Sequence, residues 1–323
     1  MMTAWQSVAG RAKKSGKLSR RDSGGLTCGE NREITCGMTA LKHHEIPGRV
    51  TVLPGRGGLP AILVTTACSE AEIYPHGAHV TRFQKLGEPP LLFMSAASEF
   101  RADMPIRGGV PVIFPWFGPR AGLPAHGIAR VAAWELLEAG VVAGGAMRLH
   151  LRLPTSGEWM VDYYVTVGSA LTLELAVTNT GAKDVSIENC LHTYFQVGDV
   201  QQIGISGLAG TRYLDLLLAA EFTEGEAPIR IAGEVDRTYQ DTSALVEIRD
   251  PVLRRTIRVR KSGSKSTVVW NPWIAKAQRM PDFGDDEYLQ MVCVESGNIA
   301  ENAVTIAPGK AASLIVEIDS ANL

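Results

Sequence analysis

The chain has 323 residues, a hydrophobic fraction of 45% and a formal net charge of −2 at pH 7. This near-neutral balance argues against a nucleic-acid-binding protein, and no apolar run approaches the length that crosses a bilayer. The five cysteines are odd in number and show no paired metal-ligand spacing, which favours a reducing compartment over a disulfide framework. We therefore expect a cytoplasmic monomer or homodimer without nucleic-acid or membrane partners.

Residues 1–37 differ from the rest of the chain. The stretch AGRAKKSGKLSRRDSGG is basic, rich in Ser and Gly, and has no apolar periodicity. We expect a disordered N-terminal extension, or a segment that precedes the true start at Met38. A targeting segment is the alternative, because Arg- and Ser-rich leaders exist. Residues 38–323 are expected to form a single domain.

Short alternating runs broken by Gly, Pro and Asn fill the chain from about Ala40 onward. In ALTLELAVTN (170–179), one face of the predicted strand is formed by Leu171, Leu173, Leu175 and Val177. This alternation is typical of a strand with one buried face and one solvent-exposed face. Similar runs are AMRLHLRL (146–153), ALVEIR (244–249), RTIRVRK (255–261) and ASLIVEID (312–319). Helical patterns are scarce, and LLLAAEFT (216–223) favours at most two turns. The fold predicted is all-β, a large antiparallel β-sandwich.

The segment 104–137 is rich in aromatic and β-branched residues but is interrupted by glycines and prolines. Gly108 and Gly109 permit positive φ or a close approach of two backbones. Trp116 and Phe117 could form an apolar platform for a ligand. The cationic or donor side chains beside it are Arg107, His126 and Arg130. A buried aromatic loop with arginine ion pairs is the structural alternative.

Two further segments place a titratable residue in apolar company. His192 interrupts the strand-like run NCLHTYF, and it could be a core residue, a metal ligand or a proton-transfer group. Glu295 follows the apolar run MVCV, so we expect it at the end of a buried strand, facing a cleft, with an exposed strand end as the alternative. The chain has no phosphate-binding loop, dinucleotide fingerprint or nucleophile elbow. We expect neither a cofactor nor a metal.

Seven motifs, in order, carry a family resemblance that spans roughly residues 76–297. They are GAHVTRF, IRGGVPVIFPWFGP, AHGIAR, LHTYFQVGDV, EVDRTY, WNP and MVCVE. The chain resembles the aldose 1-epimerase (mutarotase) superfamily, and within it the glucose-6-phosphate 1-epimerase branch. The resemblance implies a β-sandwich of the galactose-mutarotase type. It also implies that His192 and Glu295 form an acid–base pair, with Glu295 as base and the His192 imidazolium as acid.

Other roles also follow from the resemblance. His126 and Arg130 would contact sugar hydroxyls, and Asp236 would accept hydrogen bonds from them. Arg107 is the first candidate for a phosphate group, because a guanidinium matches phosphate oxygens. Arg82 is a second candidate, with Lys85 as its alternative.

The resemblance also implies a role for two aromatic residues, and the chain departs from the family pattern at some positions. Trp116 and Phe117 would wall the sugar site. The positions of Lys276 and Arg279 relative to the pocket are left open, and the run Leu216–Leu218 is unusually apolar.

The activity expected is the interconversion of the α and β anomers of hexose 6-phosphates, with a small sugar phosphate as partner. A mutarotase of free aldoses is one alternative. A non-catalytic sugar-phosphate-binding protein on the same fold is the other.

Overall fold

The computed structural model of the protein describes residues 38–154 and 157–323, so the expectations for residues 1–37 lie outside the described residues. Strands dominate the described part of the chain. They are β1 (Val50–Pro54), β2 (Pro60–Thr65), β3 (Ser69–Tyr74), β4 (His79–Lys85), β5 (Val112–Ile113), β6 (Glu135–Val141), β7 (Met147–Leu153), β8 (Trp159–Val167), β9 (Leu171–Asn179), β10 (Val185–Ile187), β11 (Asn189–Leu191), β12 (Tyr194–Gln196), β13 (Gly204–Ser206), β14 (Arg212–Asp215), β15 (Ala220–Thr223), β16 (Val235–Tyr239), β17 (Val246–Asp250), β18 (Arg255–Ser262), β19 (Ser266–Asn271), β20 (Met291–Asn298), β21 (Val304–Ile306) and β22 (Ala311–Asn322).

Helical elements are short. An α-helix spans Trp273–Ala277, and residues 38–42, ahead of β1, are also helical. The 3₁₀ turns are Arg56–Gly58, Ala129–Val131, Ala143–Gly145, Glu287–Gln290 and Ala300–Asn302. In the part of the chain that the structure describes, no helix is long and apolar enough to cross a membrane.

Two eight-stranded antiparallel sheets form the bulk of the structure. The first has the order β13-β17-β18-β22-β9-β8-β7-β6. The second has the order β15-β14-β16-β19-β20-β11-β5, with β12 also paired to β20. A four-stranded sheet, β1-β2-β3-β4, and the pair β10-β21 complete the arrangement. The predicted all-β antiparallel architecture is confirmed.

The period-two pattern corresponds to burial in the strands. In β9 the apolar residues from Leu171 to Val177 are buried and alternate with half-buried polar residues, as predicted. The other predicted runs coincide with β7, β17, β18 and β22 to within two or three residues at each end. A large cluster of buried apolar side chains draws members from both eight-stranded sheets and from the four-stranded sheet. Apolar burial of this kind is the main favourable term in folding.

Two local expectations differ from the structure. Glu295 does not end its strand: β20 continues to Asn298, and all eight of its residues are buried. Because both faces of β20 are covered, the strand shows no alternation that would reveal its length. The run at 216–223 is not helical either, since residues 216–219 form a turn that leads into β15.

Candidate active site

His192 lies in a two-residue break between β11 and β12. Both strands pair with β20 in one common register, Leu191 opposite Ser296 and Tyr194 opposite Cys293. The same register brings His192 opposite Glu295. Its Nε2 lies 3.3 Å from Glu295 Oε1. The His192 amide donates to Pro111 O at 3.0 Å, which continues the register of β11 with β5.

The site is built on one face of the second sheet. Successive register partners form a row across four strands, which consists of Asp236, Trp270, Cys293 and Tyr194. Glu295 pairs with Val268 in the adjacent row. Side chains two residues apart on a strand share a face, so these residues project to the same side. On the opposite face of β20, the valines at 292 and 294 join the main core.

The predicted close approach at Gly108 and Gly109 is confirmed. Both have positive φ, 112° and 59°. A Cβ would lie 2.5 Å from Phe93 O at Gly108 and 2.3 Å from Val80 O at Gly109, so only glycine fits. This close approach of the backbones places Arg107 beside the row of register partners described above. There its Nη1 donates to Tyr194 Oη at 3.0 Å.

Arg107 is held by a carboxylate as well. Its Nε donates to Asp282 Oδ2 at 3.1 Å, and its Nη2 lies 3.0 Å from the same oxygen. The guanidinium is largely buried, and the pKa of Arg107 is raised by its partners Tyr194 and Asp282 even though burial opposes this. The group therefore stays cationic in an apolar setting.

A cavity of about 320 Å³ opens over this face. It brings together six of the nine predicted site residues: Arg107, Phe117, His126, His192, Asp236 and Glu295. The lining residues that had no predicted role are Gly118, Pro119, Tyr194, Leu216, Val268, Trp270, Lys276 and Met280. A larger groove of about 810 Å³ lies elsewhere, between residues 241 and 313, and its lining contains no histidine. Size alone therefore does not identify the site.

Three predicted residues do not line this cavity. Trp116 is buried and its Nε1 donates to Pro124 O at 3.0 Å. Arg130 lies in the turn Ala129–Val131, and its Nη2 donates to Ala125 O at 2.7 Å. Arg82 projects from the outer side of β4 and pairs with Glu70 at 3.2 Å, with 48% of its side chain exposed. Its alternative, Lys85, pairs with Glu88 and Asp319.

Burial has opposite effects on the two central groups. It raises the pKa of Glu295 well above the ordinary range, and the nearby Asp236 carboxylate adds to the rise. It lowers the pKa of His192, and the cations at Arg107 and Arg130 add to this fall. The two shifts favour a neutral pair that holds one proton, located on the carboxyl group.

Aromatic rings fix the His192 imidazole in place. The ring stacks on Tyr194, with centroids 4.9 Å apart and planes 10° apart, and the edge of Trp270 packs against both rings. His126 lies 5.8 Å away between ring centroids. Burial and the cation at Arg130 lower the pKa of His126 to about 3, so it is neutral. Its Nδ1 accepts a hydrogen bond from the Gly118 amide at 3.3 Å, which leaves Nε2 as the donor.

Asp236 has a cation beside it. Lys276 Nζ lies 3.6 Å from Asp236 Oδ2 and 3.1 Å from Glu234 Oε1, and it sits over the Trp270 ring. Burial raises the pKa of Asp236, an effect that Lys276 opposes. Lys276 thus reaches the cavity, whereas Arg279 is not among the lining residues. Leu216, from the unusually apolar run, lies on the cavity wall.

The fold and the site together define a mutarotase-type β-sandwich with an acidic and an imidazole group on its open sheet face. The structure aligns with the crystal structure of a "putative mutarotase (YeaD)" from Salmonella typhimurium at a TM-score of 0.80 and 28% identity, over 87% of this chain and 96% of that one. A galactose mutarotase-like protein from Clostridium acetobutylicum shares the fold at a TM-score of 0.64 and 13% identity, over 85% of this chain and 98% of that one.

The sequence comparisons identify the family. The family model for aldose 1-epimerase matches residues 60–319. Two relatives carry the name "Putative glucose-6-phosphate 1-epimerase": one from Cenchrus ciliaris is 36% identical over 74% of this chain and 78% of its own length. The other, from Escherichia coli K12, is 35% identical over 75% of this chain and 84% of its own length. The chain belongs to the aldose 1-epimerase family.

Proposed function

We propose that this protein interconverts the α and β anomers of hexose 6-phosphates, with glucose 6-phosphate as its substrate. The names of the two relatives support the substrate, and the guanidinium of Arg130, which has no ion pair among the described residues, supports an anionic sugar. One observation carries the reaction: the 3.3 Å separation of His192 Nε2 and Glu295 Oε1 at the cavity wall. The two sugar oxygens that exchange protons are both bonded to C1, so two groups this close together can serve both.

Ring opening moves one proton in and one proton out. The carboxylate of Glu295 takes the proton of the anomeric hydroxyl, and the imidazolium of His192 gives a proton to the ring oxygen. The bond between C1 and the ring oxygen breaks and an aldehyde forms. Rotation about the C1–C2 bond and the reverse transfers close the ring on the other face. Each positioned acid or base typically contributes about 10²–10⁴-fold to such a rate.

The protonation state favoured by burial matches a specific stage of this cycle. After opening, Glu295 carries a proton and His192 is neutral. Burial favours the same arrangement in the free protein, since it raises the pKa of Glu295 and lowers that of His192. Because the free protein already holds this state, the proton moves from Glu295 to His192 before opening, and the opening step returns the pair to the state that burial favours.

Two groups are proposed to bind the phosphate: Arg107, which lines the cavity, and Arg130, which is not a lining residue but lies close enough for its charge to act on His126 and His192. Arg107 already has a carboxylate partner in Asp282. Arg130 differs, because among the described residues its guanidinium has a carbonyl partner but no ion pair. Burial and the neighbouring charge of Arg107 lower its pKa to about 10, so a positive potential is present without a counterion. A phosphate dianion would neutralise this charge.

One observation favours a free-aldose mutarotase as the second candidate. Both cations that line the cavity are already matched by carboxylates, Arg107 by Asp282 and Lys276 by Glu234 and Asp236. A neutral sugar needs no further charge. The two candidates share the acid–base chemistry and differ only in the group recognised at the far end of the sugar.

The test is the rate of anomer exchange measured by NMR with glucose 6-phosphate, glucose and galactose. We expect acceleration of the phosphorylated sugar and a fall of at least about 100-fold in His192→Ala and Glu295→Gln. His43→Ala and Glu317→Gln are the matched controls, since His43 is exposed and Glu317 forms a half-exposed surface pair with Arg260.

Each alternative has its own outcome. Equal acceleration of glucose and galactose would assign a general aldose mutarotase. Absence of acceleration with any sugar, together with retained binding of glucose 6-phosphate, would show a binding protein on this fold. Unchanged rates in both site variants would overturn the assignment of the pair.

A further inference from the structure

A third metal-ligating side chain lies beside the acid–base pair. Cys293 is on the same strand and the same face as Glu295, two residues away. A ring nitrogen of His192, the Cys293 sulfur and a Glu295 carboxylate oxygen all lie within 4.8 Å of one another. Among residues 38–154 and 157–323, this is the one group of three such ligands that meets so closely. The epimerase chemistry proposed above makes no use of the thiol.

The spacing of these ligands is close to that of a tetrahedral zinc site. With Zn–N and Zn–O bonds of about 2.0–2.2 Å, the nitrogen and oxygen ligands of a tetrahedron lie about 3.3–3.5 Å apart. The observed distance between His192 Nε2 and Glu295 Oε1 is 3.3 Å. A Zn–S bond of about 2.3 Å requires a sulfur about 3.6 Å from the other ligands, so the Cys293 sulfur, which lies within 4.8 Å of both, has to approach them by at most about 1.2 Å.

We propose that His192, Cys293 and Glu295 form a binding site for Zn²⁺ or a similar borderline-soft divalent ion, and that its occupation blocks the acid–base pair. The ligand set of one imidazole, one thiolate and one carboxylate suits zinc and not magnesium or calcium, which take oxygen ligands. Thiolate and carboxylate together neutralise the dication, which limits the cost of placing it in a buried site near Arg107.

The cavity gives the ion a route to its ligands. His192 and Glu295 both line it, and Cys293 lies directly below, with no exposed surface. Three protein ligands leave the fourth position of the tetrahedron directed to the open side, for water. The proton of the Cys293 thiol and the proton carried by the Glu295 carboxyl group both leave to solvent as the zinc–sulfur and zinc–oxygen bonds form. The bound ion occupies the atoms that would exchange protons with the sugar, so metal and sugar compete.

A second buried thiol provides a matched control. Cys190 lies on the other side of the same carboxyl group, where its Sγ donates to Glu295 Oε2 at 3.6 Å. It pairs with Gly297 in the row beyond Glu295 and is not a member of the three-ligand group. Removal of either sulfur deletes a buried thiol beside Glu295, but only removal of Cys293 deletes a proposed ligand.

The test uses Co²⁺ as a spectroscopic probe on the full chain after treatment with a chelator. We expect one equivalent of bound cobalt with a thiolate charge-transfer band in the wild type and in Cys190→Ala. The band should be absent in Cys293→Ala and weakened in Glu295→Gln. Cys28, Cys36 and Cys68 are present in every variant, so any band from them is common to all and cancels in the difference.

Inhibition provides a second readout that rests on the proposed function. Zn²⁺ should slow anomer exchange in the wild type, with at least tenfold lower sensitivity in Cys293→Ala, while Mg²⁺ has no effect. If the protein accelerates no sugar, the cobalt spectra still decide the metal site. An identical cobalt band in wild type and Cys293→Ala, with both proteins folded by circular dichroism, would overturn the proposal. Loss of the band in Cys190→Ala alone would also overturn it.

Discussion

At the scale of single residues, the proposed chemistry depends on a proton shared by two groups that are shielded from water. Glu295 is 1% exposed and the His192 side chain 11%. Tyr194 and Trp270 pack on the imidazole, so its orientation is fixed before a sugar arrives. Such preorganisation lowers the cost of alignment during the reaction.

The pH dependence of the reaction follows from the shared proton. Activity requires one proton on the pair. A second proton binds only below the ordinary pKa of histidine, because burial lowers the pKa of His192. The last proton leaves only well above the ordinary pKa of a carboxyl group, because burial raises that of Glu295. We expect a plateau of kcat that ends on the acid side below the ordinary pKa of histidine and on the alkaline side well above the ordinary pKa of a carboxyl group.

The measurement is kcat against pH by NMR exchange at saturating sugar, because the substrate phosphate itself titrates near about pH 6. Glucose at high concentration serves as the control without a phosphate group. A decline of kcat on the alkaline side near the ordinary carboxyl pKa of about 4.3, or on the acid side at or above the ordinary histidine pKa of about 6.5, would contradict the shared-proton model.

Substrate charge is tested at Arg130. Arg130→Gln removes the guanidinium that has a carbonyl but no ion-pair partner among the described residues. A lost charged hydrogen bond is worth about 1.5–3 kcal/mol, so kcat/KM for glucose 6-phosphate should fall about 10- to 100-fold, mainly through KM. The value for free glucose should change little. Arg82→Gln, on the outer side of β4, is the control and should leave both values near wild type.

At this scale, the structure brings together most of the residues that were predicted from long motifs, and their roles stay predictions. Six of the nine predicted site residues line one cavity. Asp282 was missed because its relation to Arg107 spans 175 positions and has no local pattern. Arg82 was placed in the site by its motif, but the alternation of β4 directs it outward, between the buried Thr81 and Phe83.

At the scale of elements, the break between β11 and β12 sets the position of the imidazole. β20 passes the break without interruption, and its neighbours on the other side are the five paired residues of β19. The two three-residue strands β11 and β12 therefore pair with β20 as a single strand would, except at the two residues between them. The paired residues on both sides hold His192 in register with Glu295.

Gly297 tests whether this packing controls the site. A Cβ at Gly297 would lie 2.7 Å from Asn189 O and 2.9 Å from the Cys190 Sγ, so Gly297→Ala must push β11 away from β20. We expect a fall in kcat of at least about 10-fold, since a small displacement of His192 spoils its alignment. The free energy of unfolding should fall by about 1–3 kcal/mol.

The measurement combines exchange kinetics with urea unfolding, and Gly140→Ala in β6 is the control. The nearest atom to a Cβ at Gly140 is a glutamate oxygen at 3.9 Å, so this variant should behave as wild type. Full activity in a destabilised Gly297→Ala protein would show that the strand pairing does not control the imidazole position.

Strands with one wet face were predictable from their period of two, as β9 and β22 show. The length of β20 was not, because neither face of this strand meets water and the pattern of alternation is absent. The break at His192 was equally unreadable, because three-residue strands are too short to show a period. Residues 216–219 have apolar side chains but form a turn, so composition alone was misleading there.

At the scale of the whole molecule, a buried cation links the two large sheets. Arg255 begins β18 of the first sheet and is 2% exposed. Its guanidinium donates to Pro89 O and Pro90 O at 2.9 Å each and to Gln196 O of β12 at 2.8 Å. The strand that follows the break at His192 is thereby tied to the opposite sheet.

Arg255→Met should destabilise the protein severely. The change leaves three carbonyl groups without their donor in a buried site, at about 1–3 kcal/mol for each group left unsatisfied. We expect a loss of at least about 3 kcal/mol in the free energy of unfolding, measured by urea denaturation. Arg260 lies on the same strand as Arg255 and forms a half-exposed ion pair with Glu317 of β22. Arg260→Met removes this pair and should lower the free energy of unfolding by less than about 1 kcal/mol. Equal losses in the two variants would contradict the bridging role.

The common register of β11 and β12 also bears on how this family diversifies. The spacing of the imidazole and the carboxyl group is set by the backbone pairing of β11 and β12 with β20. Insertions in surface loops leave this pairing, and therefore the spacing, unchanged. The cavity rim, by contrast, comes from loops and turns at Phe117, Leu216 and Met280 and from the short helix that carries Lys276. Gene duplicates can therefore exchange rim residues and acquire new sugars while the chemical step is retained. Substrate range should diverge faster among these proteins than the reaction itself.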